Sequence, residues 1–99
     1  MNLSDHVTVR EVGLRDGLQS IARTVPTPAK LDWLHAAHAC GLREIEVGAF
    51  VPARLLPQLA DTAELVAAAK ALPGLVTSVL VPNLKGAAAA LDAGADVML

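Results

Sequence analysis

Four short β-forming runs begin near residues 7, 43, 75 and 96 and are separated by three helical stretches. This β-α-β-α-β-α-β order constrains the fold more than any other feature, because regular alternation implies parallel strands joined by right-handed crossovers. The first run, residues 7–12 (VTVREV), alternates apolar and polar side chains and is rich in β-branched residues, as a strand should be. A loop is expected over residues 13–27. Thr27 reads as a helix N-cap followed by Pro28 at the first helical position, since threonine can accept an orphan N–H and proline has none to lose. That helix runs to about Cys40, with Leu31, Leu34, Ala37 and His38 on one face, and Gly41 is placed to end it.

The second strand is expected over residues 44–47 and is followed by a thirteen-residue loop, 48–60. Asp61 and Glu64 have capping-box spacing at the start of the next helix, where Leu65, Ala68, Ala69 and Leu72 recur at helical intervals. Pro73-Gly74 stops it. Residues 75–81 are almost continuously apolar, the pattern of a strand covered on both faces. Asn83 caps a third helix over 84–93, Gly94 closes it, and residues 96–99 open a fourth strand.

Two architectures fit this order, a doubly wound open sheet and a (β/α)8 barrel. The loop after the first strand reads VGLRDGL and lacks the Gly-x-Gly-x-x-Gly dinucleotide fingerprint. The sequence stops inside an apolar run, Val97-Met98-Leu99, where a strand would need a partner. A barrel needs about 250 residues. The expectation is therefore an α/β chain forming the first three βα units and the start of the fourth strand of a TIM barrel, with residues 1–99 the N-terminal part of one truncated domain. The alternative is a small domain whose last strand pairs with another chain. In either case exposed sheet edges predict self-association or a homo-oligomer.

Composition narrows the function. At 54% hydrophobic residues with a net charge of −2, the chain is not a disordered tail. It has no basic run and only Trp33 and Phe50 as aromatics, so no nucleic-acid partner is expected. No apolar run is long enough for a membrane span, and the polar start through His6 lacks a signal-peptide core, so a cytoplasmic location is expected. The single cysteine, Cys40, excludes an internal disulfide and reads as a buried structural thiol at a helix end. His6, His35 and His38 read as surface or flanking residues, and Trp33 as outer-layer packing.

In parallel α/β folds sites form at the carboxyl ends of the strands. Arg15 and Asp16 follow the first strand, Glu46 lies at the end of the second, and Asn83 follows the third. Each also has a structural reading: a solvated turn for Arg15 and Asp16, an ion pair for Glu46, a helix cap for Asn83. Their convergence on one face makes a site the stronger reading, above all for Glu46. A carboxylate between Ile45 and Val47 points into an apolar layer, where an unpaired charge is costly.

The segment VREVGLRDGLQ (residues 9–19) resembles the first strand and loop of the hydroxymethylglutaryl-CoA lyase branch of the DRE-TIM metallolyases. The resemblance continues through TPAKL (27–31), GLREIEVGAFV (41–51), PQLAD (57–61) and VPNLKG (81–86). It implies a TIM-barrel lyase that cleaves a 3-hydroxyacyl-CoA by a retro-Claisen step into acetyl-CoA and a keto acid. Asp16 would then be a ligand of a divalent metal, Mg2+ or Mn2+. Arg15 would stabilise the developing enolate oxygen, and Glu46 would fix Arg15 by hydrogen bonds. Gln19 would reach metal-bound water. The family's remaining ligands, a His-x-His and an Asn, and its acid/base cysteine lie on late segments that this chain does not contain. Where the branch usually reads Ser-Phe-Val-Ser-Pro, this chain has Ala49-Phe50-Val51-Pro52-Ala53. Ala49 and Phe50 are therefore expected to contact the acyl chain, and the 48–60 loop to set which acyl-CoA is accepted.

Overall fold

The computed structural model describes residues 7–99, so His6 lies outside the described residues. Strands β1 (Arg10–Glu11), β2 (Glu44–Ala49), β3 (Val76–Leu80) and β4 (Val97–Met98) form one sheet in the order β1-β2-β3-β4, every neighbouring pair parallel. Helices α1 (Thr27–Ala39), α2 (Thr62–Lys70) and α3 (Leu84–Ala93) make the crossovers. This order decides between the two candidate architectures. A doubly wound sheet reverses direction, placing a later strand beside β1, whereas here each strand is added outside the last, as in a barrel. Helix α2 packs on β2 and β3 and touches both α1 and α3. The core lies between these layers: Leu34 and Ala37 of α1, Leu65, Val66 and Ala69 of α2, Ala90 of α3, and Ile45, Val47 and Val79 of the strands.

The first strand is shorter than the alternation over residues 7–12 suggests. Its ladder begins at Arg10 because Arg10 faces Glu44, the first residue of β2, and residues before it have no opposite number. Val7 and Val9 stay 86% and 63% exposed. The second strand is longer than expected. Gly48 reads locally as a terminator, yet β2 continues to Ala49 through a bulge at Val47. Glycine is needed there for packing: a Cβ on Gly48 would overlap the side chain of Thr62, which seats α2 against the strand. Gly94, at φ +87°, closes α3 in the left-handed conformation expected of it.

Two helix starts differ from the sequence reading. The N-cap of α1 is Pro26, and Thr27 is the first helical residue; its hydroxyl donates to Asp61 Oδ2 at 2.7 Å instead of capping the helix. Asp61 does occupy the N-cap of α2 but makes no side-chain cap bond, because its carboxylate also accepts from Lys30. Asn83 behaves as expected, its Oδ1 accepting from Gly86 N–H at 2.9 Å. Cys40 is the C-cap of α1 and is exposed, not buried; Gly41, at φ +99°, follows it and closes the helix. His35 is exposed, and His38 is partly buried with its ring nitrogen 2.9 Å from Pro73 O. The apolar run of β3 encloses two buried hydroxyls, on Thr77 and Ser78.

Candidate active site

The expected loop after β1 is wound into a turn of π-helix, Gly13–Gly17, in which the N–H groups of Arg15, Asp16 and Gly17 all converge on Val12 O. Leu14 and Leu18 anchor this turn in the core, and Trp33 of α1 lies directly against Gly13. A wide turn pinned at both ends folds over β2 and holds Arg15 partly buried, with a side-chain exposure of 18%.

Glu46 lies within β2 and not at its end, because the strand continues three residues further to Ala49. Its carboxylate is almost completely shielded, with Ser78 opposite it on β3. The charge is compensated by Arg15, whose Nε donates to Glu46 Oε2 at 2.5 Å. Arg15 Nη1 donates to Gln19 Oε1 at 3.3 Å and lies 3.5 Å from Asp16 Oδ1. Among the described residues Nη2 has no hydrogen-bond partner. The guanidinium is thus clamped on one edge and open on the other. A planar, permanently charged group held this way offers fixed donors to an anionic oxygen.

Asp16 points outward, its side chain 68% exposed. No group of three or more His, Cys, Asp or Glu side chains converges on a metal position among the described residues. One hard carboxylate suits Mg2+ or Mn2+, which take roughly six oxygen ligands, so Asp16 could supply one of them and the others would come from elsewhere.

Arg15, Asp16, Gln19 and Glu46 therefore form one cluster. Ala49 and Phe50 do not join it; they line a separate cavity of about 320 Å³ together with Pro52, Ala63, Asn83 and Lys85. Ala49 is held at its backbone, where its N–H donates to Thr62 Oγ1 at 3.1 Å.

No protein-family model matches the chain. Over 89 residues it is 48% identical to the mitochondrial hydroxymethylglutaryl-CoA lyase of Gallus gallus, covering 90% of this chain and 30% of that protein. Over 93 residues it is 44% identical to the cytoplasmic 3-hydroxy-3-methylglutaryl-CoA lyase of Rattus norvegicus, covering 94% and 27%. The crystal structure of hydroxymethylglutaryl-CoA lyase from Pseudomonas aeruginosa superposes with a TM-score of 0.88 at 41% identity, over 99% of this chain and 33% of that one. A lyase from Acinetobacter baumannii, solved with coenzyme A and 3-methylmalate, gives 0.83 at 36% identity over 99% and 32%. The chain thus spans about a third of the length of these relatives, and its parallel sheet is a portion of their TIM barrel.

Proposed function

We propose that this chain carries the N-terminal portion of the catalytic barrel of a hydroxymethylglutaryl-CoA lyase, with Arg15, Asp16, Gln19 and Glu46 contributing to its active site. The carrying observation is the clamped guanidinium: Nε on a buried carboxylate and Nη2 unengaged among the described residues. In a retro-Claisen cleavage the C3 hydroxyl loses its proton, C3–O becomes a carbonyl as the C2–C3 bond breaks, and the electron pair moves onto the thioester oxygen. Protonation at C2 then yields acetyl-CoA beside the keto acid. The negative charge that appears on the thioester oxygen is what Arg15 would stabilise, from a position it need not reorganise to reach.

Asp16 fits as one ligand of a divalent cation, being an exposed carboxylate beside the guanidinium. When bound, such a cation supplies charge that holds hydroxyl and carboxylate oxygens of the substrate. Gln19 orients Arg15 from the opposite side through its Oε1. The neighbouring cavity, walled by Ala49, Phe50, Val51 and Pro52, suits an apolar acyl substituent. This favours a second reading in which a longer chain at C3 is also accepted, as the name of a Pseudomonas aeruginosa relative, 43% identical, states for that protein.

The test is an assay of the purified full-length protein with hydroxymethylglutaryl-CoA and with analogues lengthened at C3, with divalent metal titrated. Release of acetyl-CoA from at least one of them is expected, and no release from any would end this reading. Asp16→Asn should raise the metal concentration needed for half-maximal activity by at least the roughly 10–100-fold typical of groups that only support a metal ligand. An unchanged metal requirement would remove Asp16 from the ligand set.

A further inference from the structure

Among the described residues the largest fully buried side chain is Lys30, a cation in the first turns of α1 with 1% exposure. Nothing in the chemistry above uses it. A buried ammonium is costly unless it is paired and hydrogen-bonded. Lys30 Nζ donates to Asp61 Oδ1 at 2.6 Å and to the backbone oxygen of Gln58 at 2.5 Å. Asp61 completes its own coordination with the Thr27 hydroxyl. The cluster therefore joins the start of α1 to the segment that leads into α2.

Gln58 carries the connection onward. Its side chain is buried, and its Nε2 donates to two backbone carbonyls, Gln19 O at 3.1 Å and Ile21 O at 3.2 Å. Gln19 in turn holds Arg15 Nη1 through its side chain. An unbroken series of hydrogen bonds thus runs from Asp61 and Lys30 through Gln58 and Gln19 to Arg15 and Glu46. Apart from the local Arg15–Gln19 bond, its links join residues 28 to 39 apart in sequence. The two ends of the guanidinium clamp differ in kind: Glu46 rides on a strand, whereas Gln19 lies just beyond Leu18, the last core anchor of the turn, where the Gln58 bonds hold the backbone.

We infer that Gln58, locked by the buried Lys30–Asp61 pair, is a positioning residue that sets the placement of Arg15 by holding the backbone at Gln19 and Ile21. It rests on the proposed lyase reading for its catalytic consequence, but not for its structural one. A hydrogen-bonded lock on a reacting group's loop affects the transition state more than ground-state binding, since small misplacement costs rate steeply.

The test uses the full-length protein with Gln58→Met, which keeps the side-chain volume and removes both donated hydrogen bonds. Amide hydrogen exchange over residues 13–21 should accelerate by about tenfold, as expected for two lost bonds, while exchange in β2 stays unchanged. kcat should fall about 10–100-fold with KM within about threefold. In an Arg15→Met background the same substitution should cost no further activity, because its route runs through Arg15. Unchanged exchange over 13–21 overturns the proposal, and so does a kcat loss that persists undiminished without Arg15. Should the wild-type protein cleave no substrate, the lyase reading fails, and the exchange experiment alone still decides whether Gln58 holds the turn. Lys30→Met should reproduce the exchange pattern of Gln58→Met with a larger amplitude; if it leaves a folded protein with wild-type exchange over 13–21, the lock does not operate.

Discussion

Arg15→Met in the full-length protein should lower kcat by about 100–1,000-fold and move KM no more than a few-fold, the loss seen when one oxyanion donor is removed from comparable sites. The expectation follows from the geometry of the clamp. The Nε–Glu46 bond fixes the plane of the guanidinium before substrate arrives, and the free Nη2 edge is what remains to meet an anionic oxygen. In the proposed cleavage, charge grows on that oxygen only as the carbon–carbon bond breaks, so the interaction would be stronger in the transition state than in the ground state. Arg15→Lys should not restore the rate, because one ammonium cannot both pair with Glu46 and present a second, differently directed donor. Steady-state kinetics decide the matter: a kcat within a few-fold of wild type, or a loss confined to KM, would take Arg15 out of the chemistry.

Much of this site is legible in the residues themselves. The βα alternation placed Arg15, Asp16 and Glu46 on one face, and the apolar neighbours of Glu46 announced that its charge required a partner. Asn83 was readable as a cap because its bond to Gly86 closes within three residues. What the sequence concealed was competition between local and distant partners. Thr27 and Asp61 each have an adequate helix-capping role within their own segment, yet they bond to each other across 34 residues, and Lys30 joins them. Lys30 itself, in a polar turn after two prolines, looks like any solvated helix lysine. Gln58 gives no signal either, since its two acceptors are backbone carbonyls that carry no side-chain identity. Gly48 misleads in the same way: its role is the close approach of Thr62, a residue on a different element.

The pairing of Arg15 with Glu46, proposed above to serve the chemistry, should also govern stability, and the two roles can be separated. Arg15→Met leaves the Glu46 carboxylate shielded without its cation, and breaking a buried pair from one side costs about 3 kcal/mol at the low end of the usual range, appropriate because Arg15 keeps partial contact with solvent. Replacing both partners removes the uncompensated charge. Arg15→Met combined with Glu46→Leu removes both charges at this buried position, and such replacements of whole pairs are often neutral or stabilising. Urea unfolding of the full-length protein should therefore show the single variant well below wild type and the double variant recovering most of the loss. Activity should not follow. With no guanidinium in place the double variant should remain as slow as Arg15→Met, although it is the better folded of the two. A double variant less stable than the single would mean that Glu46 is held by something other than this pair. Recovery of activity together with stability would mean that the single variant was slow only because it was unfolding, and that the positive charge at this position has no part in the reaction.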